Sequence, residues 1–168
     1  MAKKVHQGPP SWQAASDDRA AVQWLLRNHE KDDLVLVAAL SRMATSWYAN
    51  APEWNIQPHG LKPIQLIHFG PPGRYCDPQQ LSRTVAGHKR VLFFAGLNFF
   101  DGYPQLITRI RMKQLATEQA VRHFGKYGVV YVFDTSKPPT EDLPDDLRRV
   151  LTQNQSNCVK VLPYNYPY

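Results

Sequence analysis

Ser41, His68, Asn98, Asp101 and Asp134 are the side chains in this sequence whose types could support catalysis. A serine, a histidine and an aspartate gathered at one place supply a nucleophile, its general base and the group that orients the base. Asp101 and Asp134 together would suit Mg²⁺ in a nuclease-like site. Each also has a plainer reading: Asp101 precedes Gly102, and Asp134 begins the turn before Lys137, Pro138 and Pro139. The stretch from Ser41 to Ser46 offers hydroxyls and the Arg42 guanidinium, which would hold a phosphate if a helix begins at Arg42. Ser41 as a simple helix cap is the competing reading.

Standard cofactor motifs are missing. Neither G-x-G-x-x-G nor G-x-x-x-x-G-K-[ST] occurs, and Gly70-Pro-Pro-Gly73 has two prolines where a phosphate cradle needs N–H donors. The histidines and the cysteines Cys76 and Cys158 show no zinc-ligand spacing. No cofactor and no metal is therefore expected.

Charge is the stronger signal. Between Trp54 and Phe133 stand ten basic residues, Lys62, Arg74, Arg83, Lys89, Arg90, Arg109, Arg111, Lys113, Arg122 and Lys126, against Asp77, Asp101 and Glu118. That excess exceeds the whole chain's net charge of +6. With Arg42, these residues form a candidate surface for nucleic acid or another polyanion. Tyr75, Phe99, Phe100, Tyr103 and Tyr127 lie in the same region and could stack on bases. Tyr164, Tyr166 and Tyr168 form a Pro-punctuated aromatic tail suited to anchoring a partner.

These residues need a scaffold. At 168 residues and 43% hydrophobic, the chain suits one domain. Residues 1 to 10 read as a flexible arm, 11 to 162 as an α/β domain and 163 to 168 as the tail. Ser16 caps a first helix with Val22, Leu25, Leu26 and His29 on one face. Continuous apolar runs at Leu34–Leu40, Ile64–Phe69, Arg90–Ala95, Gly128–Phe133 and Cys158–Leu162 predict five strands. Helices are expected over Ser41–Asn50, from Asp77 to before Gly87, over Pro104–Phe124 and over Asp142–Thr152. Strands alternating with helices point to a mostly parallel five-stranded sheet with helices on both faces, a three-layer, flavodoxin-like arrangement. In such a sheet Ser41, His68, Asn98, Asp101 and Asp134 would all lie beyond the strands' carboxyl ends.

Ser41 after strand one, Gly70 after strand two and Ala95-Gly-Leu-Asn98 after strand three resemble the order of elements in the SGNH hydrolase family over residues 34 to 136. The resemblance implies a hydrolase centred on Ser41. This chain departs from it, with Ala39 and Leu40 before Ser41 instead of Gly-Asp, and no Asp-x-x-His at its end.

On the predicted long helix, Leu106, Ile110, Val121 and Phe124 share a face. Arg111 and Arg122 fall on one flank, Arg109 on the other, and Lys113 near the apolar stripe. A groove-reading helix gathers its contacts on one side, so sequence-specific recognition is disfavoured. Lys113, if it points inward, requires an acidic partner or an anionic ligand. The expected function is a non-catalytic binding or assembly protein with a broad basic surface for nucleic acid or an acidic protein surface. The alternative is a hydrolase or phosphate-ligand enzyme. The segment from Asp134 to Asp146, with five acids against Lys137, would permit self-association or a place in a larger assembly. No run is long enough to span a bilayer and no signal sequence is visible, so a cytoplasmic location is expected.

Overall fold

Five-residue apolar runs bury both faces of a strand, and each must be covered by a helix carrying an apolar stripe. In a computed structural model, which describes residues 17–50, 60–68, 79–96, 103–139, 145, 146, 148, 149 and 159–164, four α-helices meet that demand. Helix α1 (Asp18–Asn28) is capped by Asp17, whose carboxylate accepts from the Ala20 N–H at 2.9 Å. Its stripe of Ala21, Val22, Leu25 and Leu26 is fully buried. Strand β1 (Leu34–Ala38) is buried at every position, and a 3-10 turn (Ala39–Ser41) leads into α2 (Arg42–Ala49). There follow β2 (Ile64–His68), α3 (Gln80–Val85), β3 (Arg90–Ala95), α4 (Tyr103–Lys113), β4 (Thr117–Phe124), β5 (Gly128–Asp134) and β6 (Val159–Pro163). Residues 145, 146, 148 and 149 are helical within the predicted Asp142–Thr152 helix.

The sheet has six strands in the order β4-β5-β3-β1-β2-β6. Only the β1–β2 and β1–β3 pairings are parallel, whereas β2–β6, β3–β5 and β4–β5 are antiparallel. The expected mostly parallel, flavodoxin-like sheet of five strands is thus incorrect. The reason is local. The predicted helix over Pro104–Phe124 ends at Lys113, and its second half is the edge strand β4. Helix α4 carries the chain back along the sheet, so β4 runs parallel to β3 with one strand position left between them. A hairpin turn then folds β5 into that position, antiparallel to both. Gly125 at the turn takes φ +71°, a left-handed conformation that glycine adopts without strain. The SGNH-like order of elements is broken at the same point by β4.

Two buried clusters fill the layers. On one face Leu36, Leu66, Phe93, Tyr131, Phe133 and Val161 pack against Leu81 and Val85 of α3 and Met112 at the end of α4. On the other Val35, Val37, Leu92, Phe94, Val130 and Val132 pack against α1 and Ala49 of α2. Phe93, Phe94 and Phe133 are wholly inaccessible. The face served by α1 and α2 includes no residue of β2 or β6 in its core, and that gap positions the cleft described below.

Candidate functional site

Strand direction decides which candidate residues meet. The carboxyl ends of β1, β2 and β3 lie together, where Ala95 pairs with Val129 and His68 with Val159. Asp134 pairs with Arg90 at the start of β3 and therefore lies at the opposite end of the sheet. Five residue steps along β3 separate the two ends by about 17 Å. Asn98 and Asp101 lie outside the described residues.

Ser41 is fully buried, and its hydroxyl is engaged with backbone. Its Oγ accepts from the Gly96 N–H at 2.6 Å and donates to the Gly96 carbonyl oxygen at 3.3 Å, lacing the end of β1 to the end of β3. A β-carbon at Gly96 would sit 2.3 Å from Oδ1 of Asp18 in α1 and 3.0 Å from the Phe94 ring, so the Asp18 side chain would have to move aside. Ser41→Ala removes the acceptor and strands a buried N–H, so a loss of about 2 kcal/mol in chemical unfolding is expected. An unchanged unfolding midpoint would contradict this structural role.

Asp134 is a turn anchor. Its carboxylate accepts from the Ser136 hydroxyl at 2.5 Å and the Ser136 N–H at 2.9 Å, and from Gln119 at 2.8 Å, with Lys137 at 3.3 Å. The Ser136 hydroxyl is the main cause holding it below the usual carboxylate range. Among the described residues, no group of three or more His, Cys, Asp or Glu side chains is placed to hold a metal ion.

The basic residues divide into two sets. Arg90 forks onto Asp33, with Nε 3.0 Å from both carboxylate oxygens and Nη2 2.5 Å from Oδ2, and also donates to the Asn28 carbonyl. Arg109 forks onto Glu118 through two 2.7 Å bonds and stacks 4.5 Å above the Tyr131 ring. Its bonds to Glu118 raise the guanidinium above its ordinary value, and burial raises the Tyr131 phenol. Lys113, whose side chain is 31% exposed, lies 3.7 Å from the same Glu118. Burial lowers the half-buried Arg111 guanidinium.

By contrast, Arg83 in the last turn of α3, Lys89 before β3, Arg122 on β4 and Lys126 in the hairpin turn are exposed. Lys126 lies 5.1 Å from the Tyr127 ring centroid. Arg74 falls outside the described residues. Of the aromatic tail, Tyr164 docks on the protein's own body by donating its hydroxyl to the Arg42 carbonyl oxygen, and Tyr166 and Tyr168 fall outside the described residues.

A helix does begin at Arg42, and Ser41 precedes it without making a side-chain cap bond. The Arg42 side chain lines a half-open cleft of about 190 Å³ with Gln65, Ile67, Leu162 and Pro163. The register places Gln65 between Val37 of β1 and Leu162 of β6, on the α1/α2 side of the sheet, where the buried cluster beneath α1 and α2 includes no described residue of β2 or β6. Gln65 is a site residue that charge counting passes over. Its signal is readable all the same, as one of two polar side chains, with His68, inside the run Ile64–Phe69.

None of the described helices is long and apolar enough to cross a membrane. Comparison with protein-family models, with curated proteins and with solved structures finds no match to this chain.

Proposed function

We propose that this is a non-catalytic binding or assembly protein whose broad basic surface holds nucleic acid or another polyanion without strong sequence preference. The observation that carries the reading is the division of charge. Asp33, Glu118 and Asp134 are drawn into ion pairs, and among the described residues the exposed cations, including Arg27, Lys31, Lys62, Lys89, Arg122 and Lys126, outnumber the exposed acids Asp17, Glu30, Asp32, Asp145 and Asp146. Those cations lie on α1, β4 and the connections between elements, so they make a diffuse field instead of a reading head. The strand-end hydrolase draws no support from Ser41, whose hydroxyl is buried against Gly96.

Fluorescence anisotropy with labelled single strands and duplexes tests the reading. If four phosphates are contacted, affinity should fall about a hundredfold between roughly 50 and 200 mM salt. Arg122→Ser combined with Lys126→Ser should lower the salt slope by about two, equally for unrelated sequences. Absence of binding at low salt would remove the proposal.

A further inference from the structure

Arg42 presents an unresolved donor problem. The Nε of Arg42 is buried without a hydrogen-bond partner, and none of the described ion pairs includes this guanidinium. Gln65 is only 8% exposed, and no hydrogen bond to its carboxamide is found among the described residues. A buried donor left without a partner costs about 1–3 kcal/mol, and more when it belongs to a charged group, which applies to the Arg42 Nε. Both groups line the same cleft, and the other described residues along it are Ile67, Leu162 and Pro163.

We propose that this cleft is a binding site for a carboxylate carried on a small apolar group. The guanidinium supplies a planar pair of N–H donors, the Gln65 carboxamide supplies another, and the three apolar side chains enclose the attached carbons. Charge balance selects the ligand class. One guanidinium neutralises one carboxylate, whereas a phosphate monoester carries about −1.5 to −2 at pH 7 and would bring uncompensated charge against apolar walls. Size agrees. The half-open cleft of about 190 Å³ has room for a carboxylate with a few carbons. The start of α2 adds its positive dipole end, and the Tyr164 hydroxyl ties the Arg42 backbone to the end of β6. This site is independent of the polyanion surface.

The carboxylate could belong to a free small molecule or to the end of a protein chain, and one experiment separates these sources. The full chain, labelled with ¹⁵N, is titrated with butyrate, with a short peptide ending in a free valine carboxylate, with its C-terminal amide and with inorganic phosphate. Butyrate or the free peptide should shift the Gln65 side-chain NH₂ and Arg42 Nε–H signals saturably, with a dissociation constant near 1 mM. A response to butyrate alone assigns a small-molecule source; tighter binding of the free peptide than of butyrate, with none by the amide, assigns a chain end. Gln65→Leu and Leu162→Trp, which removes no donor but fills the cleft, should each weaken binding about tenfold, equivalent to about 1.4 kcal/mol. The proposal is overturned if no carboxylate moves these signals, if phosphate or the amide binds as well, or if both folded variants bind as the parent does.

Discussion

Replacing Asp33 by alanine should lower the stability of the fold by about 3 kcal/mol, measured by urea unfolding. Asp33 is nearly inaccessible, with its side chain 5% exposed, and it closes a local turn by accepting from the Glu30 N–H at 2.8 Å. The same carboxylate receives the Arg90 fork, and Arg90 also donates to the last residue of α1, Asn28. One ion pair therefore joins the end of α1, the turn into β1 and the start of β3. Its hydrogen bond to Asp33 is the leading cause of the raised Arg90 pKa, outweighing the opposing burial. Without Asp33, Arg90 keeps the more distant Glu30, whose side chain is 78% exposed at 3.5 Å. The figure sits at the low end for a broken buried pair because the Arg90 side chain retains 31% exposure and water can screen it. Asp33→Asn keeps an acceptor and should lose about half as much. A loss below about 1 kcal/mol in Asp33→Ala would show that the pair is only a surface contact.

The apolar runs were legible because fully buried strands leave an uninterrupted signature. Leu34–Ala38, Arg90–Ala95 and Gly128–Asp134 depart from their expected bounds by no more than two residues. Strand β4 was not, because Thr117–Phe124 is an edge strand with partial exposure along its length, and half of its residues, Glu118, Gln119, Ala120 and Arg122, favour helices. Its Val121 and Phe124 happen to continue the helical spacing of Leu106 and Ile110, so local periodicity suggested one long helix. Pairing with β5 overrides that propensity. Gly125 and Gly128 suit the end of such a helix, but glycines flanking a short turn beside an apolar run equally suit a hairpin. This one element reversed β5 and moved Asp134 away from Ser41.

Charge was legible as a total but not as a set of partners. Arg90 finds Asp33, which lies outside the basic stretch, and Arg109 and Lys113 converge on Glu118, which lies within it. Both contacts depend on the sheet: β1 and β3 are neighbours, and α4 folds back beside β4. Arg42 was visible as a cation at a possible helix start. The burial of Gln65 and its place beside Leu162 emerge only once β2 is paired with β1 and β6.

Glu118→Ala should cost about 3 kcal/mol, because a single carboxylate, 13% exposed, neutralises two cations. Arg109 would be left half-buried above the Tyr131 ring, and Lys113 would face it with no intervening negative charge. Part of the loss is therefore repulsion, which distinguishes this site from the Asp33 pair. Glu118→Gln should lose less, since its amide oxygen can still accept from Arg109. Removing the cation along with the acid tests the argument: Glu118→Leu with Arg109→Met should recover more than half of the stability lost in Glu118→Leu alone. If the two changes are instead additive, Glu118 is not the counter-ion that holds α4 against β4. In the folded single variant the newly uncompensated cations should strengthen polyanion binding severalfold at low salt, while a purely structural role would leave that affinity unchanged.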